Sequence, residues 1–313
     1  MKVDHEKSLK KQIQISESMK TFRRGLKTNK IFLNDFANLL YVNNSKVFID
    51  NKLRIYYFQP VLIENAVNTL ESISLCCKEG HFADANTLIR KFRDDLLLFV
   101  FILFITDKRH IFNEEDLSYL KFNHDVKQNV ERFLNLRINE KLDENENAVF
   151  GWFNNTISDQ PRNVRNKLGF ENYMKTFKSD PKVVKFLTDY DLQEYWDKLS
   201  PKLNNFVHNN GIHFTEQNII TRNYQVINSQ LKELNDDISF VCSFFLILII
   251  VFDPSLIRST DYDDYRDLGL EPIENSQFFI PRFIQKYIDS NVSMLHPELK
   301  EFLKANKYGM MIK

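Results

Sequence analysis

Apolar residues recur along most of this chain at intervals of three and four, the spacing of a helix that buries one face. After Pro60 the string VLIENAVNTLESISLCCKEG keeps that spacing and ends at Gly80, a residue suited to a left-handed helix terminus. FADANTLIRKFRDDLLLFVFILFI follows at once, so the two strings predict a helical hairpin about Gly80. Residues 96–105 and 238–252 (ISFVCSFFLILIIVF) are apolar on every side, which belongs in the middle of a bundle. The second run would reach roughly 22 Å as a helix, short of the ~30 Å of a bilayer core. Asp236, Asp237 and Asp253 also fence it, so two central core helices are expected in place of a membrane anchor.

The pattern changes elsewhere. Residues 4–28 are charged with sparse apolar positions, which predicts an exposed or a partner-seeking helix, the first with a solvated face. In KVFIDNKLRIYYF, residues 46–58, β-branched and aromatic runs flank Asp50-Asn51-Lys52, the signature of a short hairpin. Residues 107–124 read as irregular, 126–142 as a helix, DENEN as a surface loop, and 146–180 as short helices and turns. Helical spacing resumes at Pro181, with Pro201 expected to open a new first turn and Gly211 to stop the helix. One long helix, or an interrupted one, is expected over 215–252, then an acidic Tyr-rich loop, STDYDDYRDLG, and terminal helices near 277–290 and 297–306.

Together these elements predict a mainly α fold: a helical bundle with a small N-terminal β-hairpin and helical insertions. The expected division is an N-terminal extension over 1–59, a bundle core over 60–260 and a C-terminal helical extension over 261–313.

Composition narrows the chemistry. With 43% hydrophobic residues in 313, the chain can build a sizeable core. Lys+Arg 42 balance Asp+Glu 42, so no global field draws nucleic acid or an anionic membrane. Gly numbers only 7, and no GxGxxG or GxxxxGK[ST] string occurs, which argues against dinucleotide folds and P-loop enzymes. Cys76, Cys77 and Cys242 form no disulfide framework and no CxxC, and no HExxH or GxSxG is present, so neither a metal, a cofactor nor a nucleophilic elbow is expected. The charged N-terminal string lacks an apolar leader, and a reducing cytoplasm is the expected location.

Two stretches carry candidate chemistry. In KLSPKLNNFVHNNG, His208 falls in the last turn of a helix, one turn beyond Asn204 and Asn205, which sets an imidazole beside two amides. Imidazole transfers protons near neutral pH, and amides orient a phosphate or hydroxyl. Asn209-Asn210-Gly211 is equally an ordinary helix terminator, with His208 stabilised by the helix dipole. In DANTLIRKFRDD, Arg90 and Asp94 pair one turn apart, either as an ion-pair anchor at the core edge or as an anion clamp. A third group, Arg162, Arg165 and Lys167 with Trp152 and Tyr173 nearby, suits a nucleic-acid backbone and a stacked base, or plain solvated surface.

SLCCKEGHFADANTLIRKFRDDLL resembles the helical hairpin of bacterial HEPN-like proteins, including abortive-infection proteins of the AbiV sort, and YWDKLSPKLNNFVHNNG resembles their later Leu-Ser…His helix. The resemblance covers the central bundle, residues 61–105 and 189–252. It implies a cytoplasmic, dimeric, metal-independent ribonuclease in anti-phage defence, in which His acts as general acid–base and Arg stabilises phosphoryl charge. Here the family arginine before His208 is replaced by Lys202, a point charge instead of a bidentate fork. The implied site is His208, Arg90, Lys202, Asn204 and Asn205, with Arg162, Arg165, Lys167 and Asn209 along the RNA. The alternative is a non-catalytic helical interaction module, a sensor or inhibitory protein partner, whose polar residues cap and anchor helices.

Overall fold

In the computed structural model, the described residues are 2–43, 46–50, 52, 54–110, 141–218, 224–259, 265, 268–270, 280–305 and 312. The expected helix over 126–142 and the tyrosine-rich loop lie almost wholly outside them. In chain order the elements are α1 (Lys2–Ile15), α2 (Glu17–Asn43), strands β1 (Lys46–Ile49) and β2 (Ile55–Phe58), α3 (Val61–Glu79) and α4 (Phe82–His110). Then come α5 (Glu144–Phe153), α6 (Arg162–Arg165), α7 (Phe170–Phe177), α8 (Pro181–Asp189), α9 (Leu192–His208), α10 (Ile212–Glu216) and α11 (Tyr224–Phe252). Helix α12 (Arg282–Tyr287) continues through a π turn, Ile288–Val292, and α13 (Leu299–Ala305) follows. The fold is mainly helical with one two-stranded antiparallel sheet, as the residue pattern predicts.

The chain divides into two compact units. The first comprises Met1–Asn44, Pro60–Leu97 and Lys178–Lys313; the second comprises Ser45–Gln59 and Leu98–Phe177. Each unit draws on segments that are far apart in the chain.

In the first unit, residues 4–28 are not a solvated helix. Ser16 breaks them into α1 and α2: its hydroxyl donates to Ile13 O and accepts from Met19 N–H, capping the new helix. From there Met19, Phe22, Leu26, Asn29, Leu33, Phe36 and Leu40 are all buried, at alternating spacings of three and four. The charges that dominate the string occupy the other face. This stripe packs on α11. Helix α11 is long and apolar enough to cross a membrane by length and composition, and 83% of its most apolar window is buried inside the protein, as in a central core helix. At the middle of the seam Asn29 donates to Gly25 O and to Ser239 Oγ of α11, and accepts from the Tyr287 hydroxyl of α12 at 2.6 Å. Burial pushes the Tyr287 hydroxyl and the Cys242 thiol well up, so both stay neutral.

Gly80 ends α3 in the left-handed region at φ 82°, as expected. Pro201 does not open a helix; it sits inside α9, which loses one backbone hydrogen bond there. Leu192, Trp196, Leu199, Leu203 and Phe206 are buried on both sides of it, and that continuous stripe holds the helix together. The stop falls at Asn209, φ 49°, and not at Gly211. Residues 212–216 form a separate short helix before α11, so of the two forms expected over 215–252 the interrupted one is found.

In the second unit, DENEN is not a loop. Asp143 accepts from Glu146 N–H while Glu146 accepts from Asp143 N–H, a capping box that starts α5. The hairpin pairs Phe48 with Tyr56 and Val47 with Tyr57. Its inner face packs aromatic on aromatic: Phe58 on Phe99 at 4.7 Å, and Tyr56 on Phe153 at 5.1 Å. Residues 107–110 extend α4 and are not irregular, and Arg109 pairs with Glu146 at 2.8 Å.

A Cβ built on Gly25 would lie 1.8 Å from Asn235 Oδ1 of α11. Alanine there gains about 1 kcal/mol of helix propensity, and the atoms its Cβ meets are the end of one flexible side chain, which can turn aside. Gly25→Ala should therefore stay within about 1 kcal/mol of the parent in urea unfolding, and adding Asn235→Ala should make the chain more stable than Gly25→Ala alone. A loss above about 3 kcal/mol in Gly25→Ala would contradict a movable Asn235.

Candidate functional site

The candidate residues on α9 follow from its stripe. With Trp196, Leu199, Leu203 and Phe206 turned to the core, Tyr195 and Lys202 flank the stripe and meet α11. Tyr195 stacks on Phe240 at 3.8 Å and donates its hydroxyl to Asp237 Oδ1 at 2.9 Å. Lys202 Nζ reaches Asp237 Oδ2 at 2.5 Å and Glu233 Oε1 at 2.6 Å. Burial pushes the Asp237 carboxyl up, against the pull of Lys202 and Tyr195. Burial and the Asp237 charge push the Tyr195 hydroxyl up as well. One ammonium is thus shared between two carboxylates, a strongly held and internally neutralised cation.

His208 is exposed, and at about 100° per residue it points some 140–160° away from the buried stripe. It lies on the same side as Asn204, which is half-buried. Asn205 accepts from Asn210 Nδ2 at 3.2 Å, and the exposed Asn209 serves as C-cap, its N–H directed at Asn205 O and Phe206 O. No hydrogen bond or ion pair joins His208 to Arg90 or Lys202 among the described residues. Arg90 pairs loosely with Asp94, at 3.7 Å. The guanidinium that reaches α9 belongs to Arg93, which is 1% exposed, donates to Asp94 and meets Ser200 Oγ at 3.4 Å. Its neighbours in sequence, Arg90 and Lys91, carry the same charge, and only the stripe of α4 residues facing the core distinguishes it.

The basic string lies in the second unit. Arg162 and Arg165 are exposed, and Lys167 pairs with Glu144 at 2.9 Å. That contact, with Asn163, holds the Glu144 carboxyl below its usual range. Tyr173 is buried against Phe101 at 4.8 Å, so its ring is not open to a base. Burial raises the Cys76 and Cys77 thiols, which keeps them protonated. No group of three or more His, Cys, Asp or Glu converges among the described residues.

One polar cluster shows in the sequence only as a hairpin turn. The Asp50 carboxylate is buried and accepts from the Lys52 and Arg54 backbone N–H groups at 2.9 Å each, from Arg54 Nε at 2.7 Å and from the Tyr56 hydroxyl at 3.0 Å. Burial would raise it, but these donors outweigh burial and hold it below the carboxylate range. Asn154 completes the set, accepting from Arg54 Nη1 at 2.9 Å and donating to the Tyr56 oxygen at 2.9 Å. An aspartate opening a hairpin turn with arginine four residues on is a readable signal; Asn154, about a hundred residues away, is not.

Lys202→Met should leave the buried Asp237 without its cation and cost about 3 kcal/mol at neutral pH. Asp237 already titrates above its unfolded value, so its charged form opposes folding and stability falls as pH rises through that raised value. The loss in Lys202→Met should accordingly shrink on acidification, measured by urea denaturation across pH; a pH-independent loss would contradict the cluster. Comparison of the chain with protein-family models, with curated proteins and with solved structures finds no match in any of the three.

Proposed function

We propose that this chain works as a non-catalytic helical module that recognises a partner instead of cleaving RNA. The observation that carries this reading is the engagement of Lys202, the residue in the position of the family arginine, by Glu233 and Asp237. A metal-independent ribonuclease needs a free cation facing the imidazole across a wet cleft, to neutralise phosphoryl charge as it develops. Arg93 is buried on Asp94, Arg90 is drawn toward the same carboxylate, and neither supplies that cation to His208.

The RNA-acting reading is favoured by a different observation: His208 is exposed and free to meet a nucleic acid, and Arg162 and Arg165 are exposed too. In that reading a second subunit brings the missing cation to His208, and the chain acts in anti-phage defence, a context that rests on the family resemblance alone.

Purified chain incubated with total RNA and tRNA in the presence of a chelator separates the two. The module reading expects no cleavage above buffer, with His208→Ala identical to the parent in assay and within about 1 kcal/mol in stability. Cleavage by the parent that disappears in His208→Ala would overturn it.

A further inference from the structure

We propose that the cavity beside the hairpin of the second unit binds a small organic oxyanion, a carboxylate or phosphate monoester, with Arg54 as bidentate clamp and Lys52 as a second cation. This goes beyond the reading above and stands or falls independently of it. The cavity measures about 460 Å³ and is lined by Lys52, Arg54, Asn154, Thr156, Asp159 and Gln160, with Phe150 among the apolar walls. That volume lies in the range of small-molecule sites and far exceeds a bare phosphate or carboxylate.

The argument turns on how Arg54 is held. Guanidinium carries five N–H donors in a planar fork. Nε donates to the Asp50 carboxylate, whose Oδ2 also lies 2.6 Å from Nη2, and Nη1 donates to Asn154 Oδ1. Each terminal nitrogen keeps an N–H for an oxyanion. The side chain is 48% exposed while Asp50 beneath it is fully buried, so the fork is fixed from behind and open in front. The same carboxylate binds the Lys52 backbone N–H, and this fixes the turn that carries the exposed lysine into the lining. The organic part of the ligand is suggested by the rest of the wall: the Gln160 amide and Thr156 hydroxyl suit hydroxyl groups, and Phe150 an apolar edge. Asp159, held by Ser158 at 3.2 Å, opposes an anion at the far wall and limits the charge that fits.

Calorimetric titration of the full chain with ribose 5-phosphate, succinate and uncharged ribose tests this. Binding of either anion at about millimolar Kd or tighter, with none for ribose, is expected. The anion that binds identifies the ligand class. Lys52→Glu should weaken binding at least tenfold with an unchanged melting temperature, Asp159→Asn should tighten it, and Arg54→Lys, which keeps charge but loses the fork, should weaken it like Lys52→Glu. If Arg54→Lys does not fold, the other two variants carry the test. Absence of binding by both anions, equal binding of ribose, or unchanged affinity in Lys52→Glu would overturn the proposal.

Discussion

The first unit depends on the seam of α2 against α11, held at its middle by the Asn29 amide. An apolar seam alone is tolerant of sliding, because one buried leucine replaces another at little cost. Asn29 removes that tolerance. Its amide must find Gly25 O, Ser239 Oγ and the Tyr287 hydroxyl together, and any shift of register leaves buried polar groups without partners. The polar node therefore sets the register, and the apolar stripe supplies most of the burial energy.

The same chemistry decides which charges remain available for function. Lys202 is consumed by Glu233 and Asp237, Arg93 by Asp94, and Arg109 by Glu146. Taking such cations out of water is unfavourable unless a carboxylate meets them, and once it does they offer little to a ligand. Arg54 differs in geometry. Its partner Asp50 lies wholly on one side of the guanidinium, so pairing orients the group without covering it. A neutralised lysine loses its single charge centre to its partners, whereas a guanidinium keeps a second edge.

Several elements were legible because their cause is local. The hairpin follows from its alternating β-branched and aromatic residues, the stop at Gly80 from a backbone only glycine adopts easily, and the two apolar helices from hydrocarbon on every side. The start of α5 at Asp143 was legible in principle, since an aspartate with glutamate three residues on is a capping signal. Misreadings arose where distant packing overrode local preference: Pro201 is tolerated within α9 by the buried stripe about it, and the charged residues of α2 hide a seam that is apparent only when every third or fourth position is followed. Of the candidate site, the pairing of Arg90 with Asp94 and the placement of His208 beside Asn204 were legible, being turns of single helices.

By itself the sequence determined that the chain is mainly helical, where α3 ends and α4 begins, and which residues can carry a charge or a proton. Those properties follow from spacing within one element and from side-chain chemistry. Only the tertiary structure decided that Lys202 is neutralised, that Arg93 and not Arg90 reaches α9, and that Asp50, Arg54 and Asn154 share one cluster. Whether a cation is free depends on which carboxylate stands within about 3 Å of it, and that partner is chosen by packing between segments far apart in the chain.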